Sequence, residues 1–360
     1  MKIVVLPGDG IGPEIAAATE RVLEAADARF GLALECQRHE VGIPALERAG
    51  TTFPPEVLER CRAADGIVLG PVSHAEYPPR AQGGLNPSGE LRIGLDLYAN
   101  VRPSRTRPGI AHWGRTPMDL VIVRENTEGF YADRNMHAGI GEFMPTPDMA
   151  LALRKVTARA SQRAARVAFT LARKRRRKVT VVHKRNVMRI SDALFVAEVE
   201  RVAREFDDVA LDDQLVDSMA ALLVRDAQRF DVVVTTNMFG DILSDEAAEL
   251  SGSLGLGASI NAGDEHCMAQ AQHGSAPDIA GQDVANPASL VLSAAMLLDW
   301  LATRHGRPEF GRAARAIEEA VESLLADPRT RTRDLGGALG TREFAEAARA
   351  RLSSRSPPSS

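Results

Sequence analysis

The chain has 360 residues, of which 44% are hydrophobic and 26% are charged, and its formal net charge at pH 7 is −4. This length allows a large core and two domains, and the slightly acidic balance argues against a general nucleic-acid-binding protein. Three cysteines without a CxxC spacing indicate reduced thiols, and no apolar run in the sequence is long enough to cross a bilayer. We therefore expect a cytoplasmic protein without membrane contact.

The chain opens with MKIVVLPGDGIGPEI, in which a short apolar strand at 3–6 leads through a glycine-rich turn into a helix. A dinucleotide-binding turn has the pattern G-x-G-x-x-G, but Pro13 stands where the third glycine of a pattern starting at Gly8 would lie. Asp9 would also place a carboxylate among the phosphates. Because proline is favourable in the first turn of a helix, we interpret this segment as a tight strand-to-helix connection.

Strand-like and helix-like segments alternate along most of the chain, which is typical of α/β proteins with a largely parallel sheet. The predicted strands are 3–6, 32–37, 66–69, 95–101, 120–123, 179–182, 209–216 and 232–235. Helical patterns cover 149–173 and 192–205, and after Pro287 the pattern predicts helices only.

Three segments depart from this alternation. Residues 130–145 fit no helix and are predicted to form a protruding hairpin arm, and the glycine-containing segment 252–273 is predicted to consist of loops. The polar, proline-containing tail 353–360 is predicted to be disordered.

The run RKRRRK at 173–178 is the most basic segment of the chain. Such a run could bind nucleic acid or an anionic membrane, but cations are also favourable at the C-terminal end of a helix. Because the rest of the chain is not basic, we favour the helix end.

The strongest chemical signal is NMFGDILSD at 237–245, directly after the last predicted strand. Asp241 and Asp245 are four residues apart and share one face of a helix, where a hard cation such as Mg²⁺ or Mn²⁺ would relieve their repulsion. A solvated acidic face is the alternative. Arg92, Arg102 and Arg124 lie near predicted strand ends and suit bidentate capture of carboxylates, which indicates a small polyacid substrate.

Seven motifs, in chain order, carry a resemblance to a known family: LPGDGIGPE, LRIGLDLYANVRP, VIVRENTEGFY, VVHKRNVM, LVDSMAALLV, TTNMFGDILSDEAAELSGSLGLG and HGSAPDIAGQDVANP. Over about residues 1–345 the sequence resembles the isocitrate/isopropylmalate dehydrogenase family of β-decarboxylating dehydrogenases. The resemblance implies an α/β fold that is not a Rossmann fold, in which two domains share one large mixed sheet. One domain would combine 1–97 with 254–360, and the other would be 98–253 with the arm at about 130–145.

The resemblance also implies a homodimer or larger assembly whose active sites are shared between copies. Asp241 and Asp245 would bind Mg²⁺ or Mn²⁺ together with Asp217 of a second copy. Lys184 of that second copy would take the proton of the C2 hydroxyl, and Tyr131 would protonate C3 after CO₂ leaves. The carboxylates of a malate-type substrate would be bound by Arg92, Arg102 and Arg124.

The cofactor implied by the resemblance is NAD, bound by the loop at 273–286. Its binding residues would be His273, Gly274, Ser275, Ala276, Asp278, Ile279 and Asn286. Relatives that use NADP carry Lys and Tyr where this chain has Asp278 and Ile279. A carboxylate can bond the ribose hydroxyls and repels a 2′-phosphate, so we predict a strong preference for NAD.

The residues before Arg92 would contact the substituent at C3 of the substrate. Ser88 and Gly89 stand where isopropylmalate dehydrogenases usually carry leucines, and Asn86 with Ser88 supplies the two polar residue types found in isocitrate enzymes. We therefore expect a polar substituent, as in isocitrate or homoisocitrate. The alternatives are 3-isopropylmalate and tartrate or malate, and more remotely a non-catalytic regulatory subunit, although such subunits lose metal or catalytic residues that are present here. The stretch 270–272 (QAQ) also departs from the FEPVHGSAP-like run of many relatives.

Overall fold

The computed structural model of the chain describes residues 1–131, 136, 139 and 141–354. Its strands are β1 (Lys2–Leu6), β2 (Glu35–Arg38), β3 (Gly66–Leu69), β4 (Ala99–Arg105), β5 (Asp119–Glu125), β6 (Glu142–Thr146), β7 (Met149–Ala152), β8 (Lys178–His183), β9 (Ala210–Leu215), β10 (Val232–Thr235), β11 (Ile260–Ala262) and β12 (Cys267–Gln270). Its α-helices are α1 (Gly12–Phe30), α2 (Ile43–Ala49), α3 (Pro55–Arg62), α4 (Pro87–Gly94), α5 (Ala158–Arg173), α6 (Ser191–Ala203), α7 (Val216–Asp226), α8 (Asn237–Ser251), α9 (Ala288–His305), α10 (Pro308–Ala326) and α11 (Thr341–Ser354).

Within the described residues, ten strands form one sheet in the order β2-β1-β3-β12-β11-β4-β5-β10-β8-β9. Neighbours are parallel except where β11 meets β12 and β4, and where β4 meets β5. Five neighbouring strands come from the two ends of the chain and the other five from its middle. The predicted α/β class with one large mixed sheet is confirmed.

The central strands form because their sequences are short apolar runs rich in branched residues. β3 (GIVL) and β10 (VVVT) are buried along their whole length, as expected for parallel strands covered by helices on both faces. The C-terminal helices α9, α10 and α11 pack with α1 on the half of the sheet built from the chain ends. Among the described residues, no helix combines the length and apolar character needed to span a membrane.

Three predicted elements are wrong at the level of secondary structure. The segment 252–273 contains β11 and β12, which are short, lack a clear alternation and gain their pairing from distant strands. Residues 149–152 form β7 instead of the start of a helix, because they pair with β6, and α5 begins only at Ala158. The strand predicted at 95–101 begins only at Ala99. Residues 95–98 lie outside β4, since Asp96 adopts a positive φ of 50° and turns the chain before that strand.

An exposed hairpin begins within the last residues of the predicted arm and continues beyond them. β6 and β7 pair antiparallel, and both strands are exposed along their length. Residues 132–135, 137–138 and 140 of the predicted arm lie outside the described residues, as do 355–360 of the predicted tail. The first two tail residues belong to α11.

The basic run at 173–178 connects the last residue of α5 to the first residue of β8, and several of its side chains are paired with acidic side chains. Arg173 Nη2 lies 2.7 Å from Asp208 Oδ1, and Arg175 Nε lies 2.8 Å from Asp231 Oδ1. Arg176 donates to the backbone carbonyl of Phe230. This pairing supports the interpretation of the run as a structural helix end.

Candidate active site

A cleft of about 310 Å³ lies where β4, β5 and α8 from the middle of the chain face α4 and β12 from its ends. It brings together most of the side chains that the sequence singles out for substrate binding and chemistry. These are Asn86, Ser88, Arg92, Arg102, Arg124, Tyr131 and Asp241. Residues 270–274, which lead into the predicted cofactor loop, form another wall.

Arg124 is the most deeply buried charged group of the cleft, with 2% of its side chain exposed. It is the penultimate residue of β5 and pairs through Nη1 with Asp241, while Nε and Nη2 donate to Asn237 Oδ1 at 2.8 and 2.6 Å. Burial, together with the nearby charge of Arg102, lowers the pKa of Arg124 to about 10. Gly240 permits this approach of α8, because a Cβ there would lie 2.6 Å from the Cβ of Arg124.

Arg102, on β4, connects the two carboxylates of α8. Its Nη1 lies 3.2 Å from Asp241 Oδ1 and 3.1 Å from Asp245 Oδ1, and it also donates to Ser244 Oγ at 2.8 Å. Burial alone would raise the pKa of Asp241, but the guanidinium groups of Arg124, Arg102 and Arg92 outweigh it and hold that pKa below its ordinary value. Asp241 is therefore an ionised carboxylate at neutral pH.

The donor set for a divalent cation is incomplete within one copy. Asp241 and Asp245 lie one turn apart on α8, with 35% and 51% of their side chains exposed. In the part of the chain that the structure describes, no group of three or more His, Cys, Asp or Glu side chains could hold a metal ion. Asp241, which lines the cleft, and Asp245, which shares Arg102 with it, suit Mg²⁺ or Mn²⁺, provided that further oxygen ligands come from substrate, water or another copy.

Lys184 and Asp217 do not reach this cleft and instead bind each other. Lys184 Nζ donates to Asp217 Oδ1 at 2.7 Å, and this contact lowers the pKa of the Asp217 carboxyl. The backbone of Lys184 is fixed by the buried Asp192, whose Oδ2 accepts from Lys184 N at 2.6 Å and whose Oδ1 accepts from Arg154 Nη1 at 2.5 Å. Ile190, six residues after Lys184 in the chain, is an exposed apolar side chain.

Tyr131 stands over the guanidinium–carboxylate cluster. Its hydroxyl donates to Asp241 Oδ2 at 3.4 Å, and the guanidinium carbon of Arg124 lies 5.6 Å from the centre of its ring. The phenol thus lies within reach of the space that the three arginines enclose.

The loop that begins at His273 is tied to the glycine-rich opening turn. Ser275 O accepts from Ile11 N at 2.8 Å, and the hydroxyls of Ser275 and Ser73 are 2.7 Å apart. A Cβ on Gly10 would lie 2.0 Å from Ser275 O, so only glycine permits this approach. The opening turn therefore packs directly against the predicted cofactor loop and holds the backbone of Ser275 in place.

The remaining residues of that loop divide into buried and exposed groups. The Nε2 of His273 is buried and has no hydrogen-bond partner among the described residues, and burial lowers the pKa of this histidine. Asn286, two residues before α9, accepts from Ala288 N at 3.0 Å and donates to Asp334 Oδ2 at 3.0 Å. The other predicted cofactor residues are exposed or half-buried: Gly274, Ala276, Asp278 and Ile279.

The sequence did not reveal the roles of two residues at the site. Asp9, treated there as an objection to a phosphate cradle, is 3% exposed and accepts from Ile43 N, Ser73 N and the hydroxyl of Tyr77. It ties three segments together beneath the opening turn, and a carboxylate inside a buried turn is the signal that could have shown this. Gln270 is the second, and its altered stretch was noted without a role.

Comparison with known proteins agrees with this geometry. Residues 2–348 match the protein family described as isocitrate/isopropylmalate dehydrogenase. The chain belongs to that family. An isocitrate/homoisocitrate dehydrogenase of Thermus thermophilus is 42% identical over 96% of this chain and 97% of its own. A 3-isopropylmalate/3-methylmalate dehydrogenase of Methanocaldococcus jannaschii is also 42% identical, with the same coverage of each chain.

Among solved structures, that of isocitrate dehydrogenase from Methylococcus capsulatus has a TM-score of 0.86 and 39% identity, covering 98% of this chain and 99% of that one. The fold implied by the sequence motifs is therefore confirmed. The chain is an oxidoreductase, a decarboxylating dehydrogenase that acts on a CH–OH group. The names of the relatives cover several 3-substituted malates, so the comparisons do not identify the substrate of this chain.

Proposed function

We propose that this enzyme carries out the NAD-dependent oxidative decarboxylation of a 3-substituted (R)-malate, with Mg²⁺ or Mn²⁺ as cofactor. We further propose that the substituent is polar, as in isocitrate or homoisocitrate. The observation that carries the proposal is the cleft in which three arginines surround Asp241 and face a wall formed by Asn86, Ser88 and Gln270.

The charges of the cleft support a tricarboxylate substrate. Arg92, Arg102 and Arg124 carry three positive charges against the two negative charges of Asp241 and Asp245. A divalent cation held by the two carboxylates would leave a surplus of three positive charges, which the three carboxylates of isocitrate would neutralise. A dicarboxylate with an apolar substituent would leave one positive charge uncompensated in a partly buried site.

Each residue of the cleft can be given a chemical task. The three arginines would bind and orient the substrate carboxylates, while Lys184 of a second copy would accept the proton of the C2 hydroxyl. Tyr131 would deliver a proton to C3 after the β-carboxylate leaves, since its hydroxyl lies at the rim of the arginine cluster. When bound, NAD accepts the hydride and the cation supplies Lewis-acid stabilisation of developing negative charge.

The loop at 273–286 supports NAD as the coenzyme. Asp278 lies on an exposed turn and offers a carboxylate that suits ribose hydroxyls and repels a 2′-phosphate. The unpaired Nε2 of His273 is a further polar group for the coenzyme. All three cysteines are free thiols, in keeping with a cytoplasmic location.

A homodimer would complete the site. Val187 and Ile190 follow Lys184 closely in the chain, and these apolar side chains are 66% and 87% exposed. Buried against a second copy, these side chains would give an apolar interface next to the catalytic lysine. We also propose the domain boundaries given above, because the sheet order separates strands of 1–97 and 254–360 from those of 98–253.

A substrate panel tests the proposal. The purified chain is assayed with isocitrate, homoisocitrate, 3-isopropylmalate, tartrate and (R)-malate, using NAD or NADP, with Mg²⁺, Mn²⁺ or a chelator. We expect the highest kcat/KM with isocitrate or homoisocitrate, NAD and a divalent cation. The second candidate is 3-isopropylmalate, favoured by the name of the Methanocaldococcus relative, and its giving the highest kcat/KM would overturn the polar substituent.

A further inference from the structure

Gln270 holds a fixed position in the wall of the cleft. Its backbone N donates to Ser259 O at 3.1 Å, and its backbone O accepts from the hydroxyls of Ser259 and Ser293 at 2.8 and 3.1 Å. These bonds anchor the end of β12 from both sides. The side chain of Gln270 then lines the cleft together with Ser88 and Arg92.

The side-chain oxygen of Gln270 receives three donors. Ser88 Oγ lies 3.0 Å from Oε1, Asn261 Nδ2 lies 3.3 Å from it, and Arg92 Nη2 lies 3.4 Å from it. A guanidinium group can only donate, so the atom that faces Arg92 must be an oxygen. The side-chain amide of Gln270 therefore has one favourable orientation.

A second chain of hydrogen bonds gives the same orientation independently. Asn126 Nδ2 donates to the backbone carbonyl of Leu97 at 2.8 Å, which identifies that atom as nitrogen, and it also donates to Asn261 Oδ1 at 3.0 Å. The nitrogen of Asn261 must then face Gln270, where it requires an acceptor. Both routes place Oε1 of Gln270 toward the protein and leave Nε2 as its remaining polar group.

We propose that Gln270 is a specificity-determining residue, whose Nε2 donates a hydrogen bond to an oxygen atom on the C3 substituent of the substrate. The inference rests on the proposed function. A carboxylate or hydroxyl on the substituent satisfies this amide, whereas an isopropyl group that displaces water from it leaves its N–H groups without a partner, which is costly. Gln270 thus selects oxygen-bearing substituents by penalising apolar ones.

The test uses Gln270→Glu and Gln270→Leu. Glutamate keeps an oxygen for Ser88, Arg92 and Asn261 but loses the N–H donors, whereas leucine loses both and makes the wall apolar. We expect both variants to lower kcat/KM for isocitrate or homoisocitrate by about tenfold to a hundredfold more than kcat/KM for (R)-malate, which has no substituent. We expect leucine to raise the ratio of 3-isopropylmalate to isocitrate turnover.

Equal losses on (R)-malate and isocitrate would show a merely structural role and overturn the inference, as would unchanged selectivity. The affinities of isocitrate and (R)-malate for wild type and for each variant are also measured by calorimetry, with Mg²⁺ and without coenzyme. Thermal unfolding of each variant shows whether it is folded. Failure of the wild-type chain to reduce NAD with any hydroxy acid would overturn the proposed reaction. In that case the ratio of isocitrate to (R)-malate affinity in wild type and variants still decides the role of Gln270.

Discussion

At the scale of single residues, the cleft is an array of opposite charges held at short range. Arg124 is almost fully buried, and it is compensated by Asp241, which also contacts Arg102 and Tyr131. A buried guanidinium without its carboxylate would be costly, so Asp241 has a structural task in addition to its proposed part in cation binding. Because of this structural task, the charge of Asp241 affects the stability of the folded chain even without a ligand.

We predict that Asp241→Asn destabilises the metal-free chain at neutral pH by on the order of 1–3 kcal/mol, because Arg124 and Arg102 lose their shared counter-charge. The pKa of Asp241 is lowered in the folded chain, so the stabilisation is present above the ordinary carboxyl pKa, about 4, and is lost as pH falls through the lowered pKa. Urea unfolding with a chelator at pH 7 and at acidic pH measures this.

The matched control is Asp245→Asn, since Asp245 is half exposed and contacts Arg102 Nη1 and Gln272 Nε2, whereas Asp241 is the carboxylate paired with the buried Arg124. Its effect on the free energy of unfolding should be the smaller of the two. A difference between wild type and Asp241→Asn that stays constant down to strongly acidic pH would contradict the role given to this carboxylate.

Coenzyme choice is also a residue-scale matter. We predict that wild type has a kcat/KM for NAD at least about tenfold above that for NADP, and that Asp278→Lys combined with Ile279→Tyr reverses the order. The lysine removes a charge that repels the 2′-phosphate and adds one that attracts it. Steady-state kinetics with both coenzymes measures the ratio, and a wild-type preference for NADP would refute the assignment.

At the scale of elements, the sequence predicted those strands that are themselves short apolar runs, as buried strands commonly are. The predicted ranges 66–69 and 232–235 coincide with β3 and β10, because a short apolar run between turn residues suits a central strand. β11 and β12 were missed because they are short and their residues carry little pattern, and they become strands by pairing with each other and with the distant strands β4 and β3. Such pairing over long sequence distances is not expressed in a local window.

The seating of α8 against β5 depends on one glycine. We predict that Gly240→Ala destabilises the chain by about 1–3 kcal/mol and lowers activity, because its Cβ would meet the Cβ and Cγ of Arg124 at 2.6 and 2.7 Å. Thermal or urea unfolding and kcat/KM measure the two effects.

Gly311 in α10 provides the matched control. It is also a helix-interior glycine, but a Cβ there would have its nearest neighbours at 3.6 Å, an ordinary contact. Gly311→Ala should be neutral or stabilising by up to about 1 kcal/mol from helix propensity. Equal responses of the two variants would mean that helix propensity, and not the approach to Arg124, decides the outcome.

At the scale of the whole molecule, the motifs predicted more of the site than any single pattern did. The convergence of the three arginines, Tyr131 and Asp241 agrees with the family resemblance. The wall contributed by Gln270 could not be predicted, because it depends on the register of β12 against β3 and β11, which nothing in the local sequence reveals. The separation of Lys184 from this cleft is a property of the three-dimensional path of the chain.

We predict that Lys184→Ala and Asp241→Asn are each inactive alone and that mixing them restores activity. If Lys184 acts in the site of a second copy, a mixed dimer has one site with both defects and one with none. Random exchange of subunits should then recover about a quarter of wild-type activity. The assay is NADH formation after refolding the variants together, with each variant refolded alone as control.

Recovery close to zero, together with a monomeric mass by analytical ultracentrifugation, would contradict the shared site. Recovery with a dimeric mass would also identify the neighbourhood of Val187 and Ile190 as the interface to examine next.

The order of strands in the sheet has a consequence for how the chain reaches its native state. β3 and β4 are consecutive members of the large sheet along the chain, but β12 and β11, from its last third, lie between them. During synthesis the facing edges of β3 and β4 therefore stay unpaired until about residue 270 has left the ribosome. The two halves of the sheet can form early, but the candidate active-site cleft is assembled only when this late hairpin joins them. Chains that stop short would present two open strand edges, the surfaces on which aggregation begins and which chaperones must cover.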